Sequence, residues 1–323
     1  MRIKKNLFLF FVTFFHSFII LAQQEITFTQ FHLAKQFFNP ASVGFTSQTL
    51  VQIFNRTQWI NLEGAPNTQA YSVTGFVNSK KLGWGIGFFQ DKIGPLEQVT
   101  ASLDISYHLE INRDAHILAV GLKLSTQNFN FNNDLLSVRD SGDSFFDTSN
   151  YGQFQPNIGF GLSYQRPAFY LSLSIPFMLP SEQFKTVRHT YLSTGGQIKI
   201  SEQLALHPNI LLRQVKNTPI SYDANLLIYY QDRFWLGPSS RGRFLYTNTI
   251  ESYAPAFGII GGLVLNTNLN VGYSYSKLSG KFFSNGNTGT HELHLRYAFK
   301  TREENKEKDI GTKNKIETKV QRQ

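Results

Sequence analysis

The chain of 323 residues has no cysteine. Disulfides and thiolate metal sites are therefore excluded. A lipid anchor on a cysteine is excluded with them. Charged residues make up only 16%, where ordinary soluble domains carry about 25%. Beyond its first residues the chain lacks the run of about 20 apolar residues that a membrane-crossing helix requires. Helical periods are scarce as well. A clustered basic face is also missing. The net charge of +9 is shared evenly between the N-terminus, the last 24 residues and the long body between them. A nucleic-acid footprint needs its basic residues on one face, so nucleic acid is not an expected partner.

What is present is aromatic: 15% of the residues, with 30 Phe and 14 Tyr. The N-terminus reads as a signal peptide over 1–22. Arg2, Lys4 and Lys5 precede a mostly apolar stretch, and Ala22 is small enough for cleavage before Gln23. The segment 23–45 is polar and aromatic and ends in Asn39-Pro40-Ala41-Ser42-Val43-Gly44. Asn-Pro with a nearby glycine is turn chemistry. It is expected to be a periplasmic entry segment, tucked against or into the main body. The tail 301–323 is charged and poor in apolar residues, which predicts periplasmic disorder.

The body, 46–300, alternates with the period of a strand, in which successive side chains leave opposite faces. In the last run, His291, Leu293, Leu295, Tyr297 and Phe299 share one face. Glu292, His294, Arg296 and Ala298 share the other. Ile158, Phe160, Leu162 and Tyr164 oppose Gly159, Gly161 and Ser163. Trp84, Ile86 and Phe88 oppose Gly83, Gly85 and Gly87. About fourteen strands are expected: 46–57, 68–78, 81–91, 97–110, 114–127, 154–165, 168–175, 188–200, 203–213, 219–231, 232–242, 256–265, 268–278 and 290–300.

The links between them alternate. Short turns fall near residues 79, 112, 166, 201, 231 and 266. Longer links fall at 58–67, 92–96, 128–153, 176–187, 214–218, 243–255 and 279–289. Outer-membrane barrels have short periplasmic turns and long extracellular loops. The pattern predicts an all-β, antiparallel outer-membrane barrel with the lipid bilayer as its first partner. Asp104, His108, Lys123, Arg213, Glu292, His294 and Arg296 are expected in the lumen, as a salt-bridged plug or a pore lining.

Several short pieces then fall in an order that resembles a known family. They are Phe38-Asn39-Pro40-Ala41-Ser42-Val43-Gly44, Arg56-Thr57-Gln58-Trp59, Glu63-Gly64-Ala65-Pro66, Leu82-Gly83-Trp84-Gly85, Asp91-Lys92-Ile93-Gly94-Pro95, His189-Thr190-Tyr191, Phe234-Trp235-Leu236-Gly237 and Gly289-Thr290-His291-Glu292. Together they resemble the PorP/SprF family of type IX secretion system membrane proteins of Bacteroidetes. Ser276 and Thr290 depart from the commoner family residues. The resemblance implies an outer-membrane barrel that does no chemistry and holds no cofactor. It implies partners among the periplasmic ring and lipoprotein components, or a large secreted protein of the gliding-adhesin type with a C-terminal secretion domain. Its motif residues Asn39, Pro40, Gly44, Arg56, Gln58, Trp59, Gly64, Pro66, Asp91, Gly94, Pro95, His291 and Glu292 become the positions to test for partner binding.

Other readings remain beside this one. A porin or a transporter for apolar solutes predicts an unplugged lumen. An outer-membrane hydrolase needs Ser and His side chains adjacent on the barrel's outer face, because general-base activation requires hydrogen-bond reach, and no such pair stands out. His291 and His294 invite a metal reading, but three residues apart on a strand their rings point to opposite faces. Asp134, Asp140, Asp143 and Asp147 in 128–153 suit either Ca²⁺ or a mobile surface loop, and Phe129, Phe131, Phe145 and Phe146 beside them suit a protein contact or packing over the barrel mouth. Arg56 and Glu63 are expected to pair near the mouth, with Trp59 in the aromatic girdle.

Overall fold

The computed structural model describes residues 27–60, 62–77, 81–112, 116–132, 154–181, 186–244, 255–279 and 289–299. Its strands are β1 (Thr49–Gln58), β2 (Asn67–Val77), β3 (Leu82–Ile93), β4 (Leu96–Asn112), β5 (His116–Phe131), β6 (Phe154–Arg166), β7 (Phe169–Ile175), β8 (His189–Gly196), β9 (Ile198–Lys199), β10 (Leu204–Val215), β11 (Ser221–Tyr230), β12 (Phe234–Arg243), β13 (Ala256–Val264), β14 (Leu269–Leu278) and β15 (Thr290–Phe299). β8 and β9 pair with β10 in one unbroken register. Their break faces Pro208, which has no N–H to give the ladder. These fifteen segments therefore make fourteen wall strands, as expected, with the predicted strand 188–200 divided at Gln197.

Each strand pairs antiparallel with its neighbours. β15 closes on β1 over ten residue pairs, from Thr49↔Phe299 to Gln58↔Thr290. Closure has a physical cause. Lipid offers no partner to a backbone N–H or C=O, so a spanning sheet has no tolerable edge.

The side chains are distributed inside out relative to a soluble protein. Ile105 and Leu122 are 60% and 63% exposed, while Asp104 and Lys123 beside them are 1% and 3% exposed. The alternation seen in the sequence therefore sorts as lipid-facing against lumen-facing. All seven ionisable residues expected inward lie on the lumen face.

The expected short–long alternation of connections is only partly kept. The predicted 92–96 link is a two-residue turn at Gly94-Pro95, because β3 and β4 stay paired to Ile93↔Leu96. Gly94 sits there at φ +56. At the opposite end Gln231 and Asp232 both take φ +53 between β11 and β12, the left-handed geometry that matches the twist of a tight hairpin. β4 and β5 run 17 and 16 residues, longer than the roughly 10 a tilted strand needs to cross a bilayer.

The segment expected to tuck against or into the main body lies inside the barrel. It holds a short helix, α1 (Lys35–Phe38), and a 3-10 turn at Pro40–Ser42. Phe28, Phe31 and Phe38 form an apolar cluster with Phe54 of β1, Ala70 of β2, Tyr191 of β8 and Leu211 of β10. Those strands stand on opposite sides of the barrel, so the cluster bridges the lumen. A second cluster of Leu227, Trp235 and Ile260 fills the side formed by β11, β12 and β13. The expected signal peptide (1–22), the expected tail (301–323) and Asp134, Asp140, Asp143 and Asp147 lie outside the described residues.

Candidate functional site

The inner segment enters the described structure near the long-loop end and leaves it near the short-turn end. Its upper anchor is Glu292, fully buried on β15. The backbone N–H groups of Thr29 and Gln30 each donate to one carboxylate oxygen of Glu292, at 2.8 Å. The carboxylate accepts both bonds side by side, and such bonds to a charged group are the stronger kind. Arg56, the register partner of Glu292 across the closing seam, brings its Nε to 3.9 Å of the same carboxylate. The expected pairing of Arg56 with Glu63 does not form. Arg56 points into the lumen and Glu63 is exposed, so the partner of Arg56 comes from the neighbouring strand.

Lower down, Gln52 of β1 donates to the Leu33 carbonyl at 3.1 Å. Gln36 of α1 donates to Asp104 Oδ2 at 2.9 Å. The other oxygen of Asp104 takes the ion pair with Lys123 Nζ at 2.9 Å, and these two are register partners on β4 and β5. Lys35 places its ammonium 3.5 Å from the centroid of the Tyr170 ring.

The Asn-Pro motif is the lower latch. Asn39 is extended, as a residue before proline must be. Its Oδ1 accepts from the N–H of Ala41 at 2.8 Å, capping the 3-10 turn, and its Nδ2 donates to the Leu162 carbonyl of β6 at 3.0 Å. Pro40 supplies the fixed φ at the start of that turn. Ser174 of β7 donates to the Phe38 carbonyl at 2.7 Å, and Ser106 of β4 to the Val43 carbonyl at 2.8 Å. Gly44 sits at φ +80, and a Cβ there would stand 2.4 Å from the Cα of Gly83. Only glycine fits both the conformation and the space.

The wall is shaped to receive this segment. A Cβ on Gly121 would stand 2.2 Å from the Ala41 nitrogen, and one on Gly272 would stand 2.3 Å from Gln30 Oε1. Gly83, Gly85, Gly121, Gly161 and Gly272 are thus more than a small-residue face: they are places where the inner segment lies against the sheet, whereas a Cβ on Gly159 would meet Pro176.

Other motif residues separate into two groups. Asp91, buried on β3, accepts from the Thr68 hydroxyl of β2. Gln58 donates its backbone N–H to the Pro66 carbonyl at 2.9 Å, and Gly94 donates to the Gly64 carbonyl at 2.8 Å. Trp59 takes φ +46 and donates its N–H to the Gly289 carbonyl at 2.7 Å. These contacts tie the turn at 59–66 to its neighbours at the long-loop end, beside Pro95. His291 faces outward and pairs with the Tyr273 hydroxyl, on the opposite face from Glu292 and His294. Sequence reasoning missed Gln30, Gln36 and Gln52, because a glutamine in a polar segment carries no local sign of its partner.

A family model described as type IX secretion system membrane protein PorP/SprF matches residues 20–297. No curated protein matches the chain. Among solved structures, the Acinetobacter baumannii outer membrane protein Omp33 is 11% identical, with a TM-score of 0.46 over 78% of this chain and 99% of its own. The KdgM porin is 8% identical, with a TM-score of 0.38 over the same shares. A triple mutant of Rhodopseudomonas blastica porin is 8% identical at a TM-score of 0.35, again over 78% of this chain and 99% of its own. These likenesses are weak, and no property of those porins transfers to this chain.

Proposed function

Because the chain belongs to the PorP/SprF family of type IX secretion system membrane proteins, we propose that it is a non-enzymatic binding component of that system in the outer membrane. Its partner is a machinery subunit of the periplasmic ring or lipoprotein kind, or a large secreted surface protein awaiting export or attachment. The observation that carries this reading is the filled lumen. Phe28, Phe31 and Phe38 bridge Phe54 on one wall to Tyr191 and Leu211 on the other. An aqueous pore lined by mixed charges has no place for such a cluster, which counts against the porin reading. What remains for recognition is the two ends of the barrel. At the long-loop end stand the turn at 59–66, the Gly94-Pro95 turn and the start of β15. On this reading that end faces outward, the short turns face the periplasm, and the signal peptide is removed after residue 22.

The test is a crosslinking pull-down from native outer membranes through a tag on the C-terminal tail. Recovery of a large secreted protein or of periplasmic components is expected. Recovery of the barrel alone across several crosslinker lengths contradicts the proposal.

A further inference from the structure

Over much of the lipid-facing wall Ile, Leu and Phe project outward. Between β8 and β12, six outward positions carry short or ring-closed residues instead: Thr194, Gly196, Pro208, Ala224, Pro238 and Ser240. They adjoin through the ladder. Ile210 stands opposite both Thr194 and Ala224, Ala224 stands opposite Ser240, and Pro208 stands opposite Leu226. The consequence is a groove of about 850 Å³ in the outer wall. Its rims are the exposed side chains of Ile198, Leu226 and Phe257.

Arg166 lies at the short-turn end of this groove, with its guanidinium 5.5 Å from the centroid of the Phe169 ring. Phe169 stands opposite Arg166 on one side and Gly196 on the other. The row from Arg166 through Phe169, Gly196, Pro208 and Leu226 to Pro238 crosses five strand-to-strand steps. At about 4.8 Å per step that is about 24 Å. With strands tilted by roughly 40° the row climbs about 15 Å, and Ser240, two residues further up β12 and paired with Phe257, adds about 5 Å. The hydrocarbon core is about 30 Å thick, so the groove starts at one membrane interface, passes the midplane and stops short of the other interface.

A cation at the interface and an apolar trough that ends inside the membrane are complementary to one kind of molecule. We infer that the groove binds a single glycerophospholipid from the leaflet on the short-turn side, with its phosphate on Arg166 and an acyl chain along Gly196, Pro208 and Ala224. A spanning helix of a partner would need a trough that continues to the other interface. The site goes beyond the secretion reading and does not depend on it.

The experiment is native mass spectrometry of the full chain, purified from membranes in mild detergent. It is incubated either with phosphatidylglycerol or with diacylglycerol of the same chains. The wild type should retain one phosphatidylglycerol at detergent levels that strip it from Ala224→Trp, which fills the trough. Arg166→Gln should weaken retention by about tenfold, the scale of one charge-assisted hydrogen bond. Diacylglycerol should bind poorly and be indifferent to Arg166→Gln. Equal retention by the wild type and Ala224→Trp overturns the proposal, as does diacylglycerol binding as well as phospholipid. Should Ala224→Trp fail to fold, a photoreactive residue at Ile198 in native membranes decides. Adducts to phospholipid support the site, and adducts to a protein refute it.

Discussion

At the scale of single residues, the account turns on Glu292. It sits in the wall, buried, and holds the chain by two backbone N–H groups more than 260 residues away in sequence. Nothing local in His291-Glu292-Leu293-His294 could have shown this. The alternation placed Glu292 in the lumen, and that much was legible. Its partners were not, because backbone groups carry no residue identity to recognise. Glu292→Ala leaves Arg56 and two N–H groups without their acceptor, and breaking such a buried set costs about 3–5 kcal/mol. The expected result is a clear fall in Tm, read by heat-modifiable migration or circular dichroism in detergent. Glu292→Gln, which keeps the shape and one acceptor oxygen, should lose less. Glycine positions offer a sharper contrast. A Cβ at Gly121 meets the backbone of Ala41, whereas at Gly87 its nearest contact is the Ser102 hydroxyl, which can rotate away. Gly121→Ala should therefore loosen the inner segment more than Gly87→Ala, seen as faster proteolytic cleavage within residues 27–45.

At the scale of elements, the strands were read almost completely from the sequence, and the inner segment only as a piece tucked against or into the body. The reason is physical. A strand in a barrel wall has lipid on one side and the lumen on the other, so its pattern reports its environment at every second residue. The inner segment has the same lumen environment on every side. Its mixture of Phe, Gln and turn residues has no period, and its place depends on contacts with β1, β4, β6, β7 and β15 together. The Asn39-Pro40 turn was visible as a turn, but its role as a latch on Leu162 was not. The missed Gly94-Pro95 turn has a similar cause: a glycine and a proline signal a reversal without fixing how far the strands stay paired. The Asp104–Lys123 pair ties these two levels together, since Gln36 of α1 shares the same carboxylate. Asp104→Asn or Lys123→Met alone should destabilise by about 3 kcal/mol or more, because each leaves a buried charge alone. The double variant should recover much of that loss. A double-mutant cycle on Tm or denaturant midpoint measures the coupling, and simple additivity would contradict the described pairing.

At the scale of the whole molecule, a fourteen-strand wall encloses its own N-terminal segment and two apolar clusters. The fold was legible as a barrel, while the filled lumen emerged only when distant residues were brought together. The clusters also bear on stability: deleting residues 27–45 removes Phe28, Phe31 and Phe38 from the cluster. Burying a Phe is worth about 1.5–3 kcal/mol, so the deletion should lower Tm markedly even where the wall still closes. The central claim is that this barrel is closed by its own chain. Single-channel conductance in planar bilayers tests it most directly, comparing the wild type with the 27–45 deletion. The account predicts a silent wild type and stable, ion-conducting openings for the deletion. Steady conductance by the intact wild type, equal to that of the deletion, would contradict it.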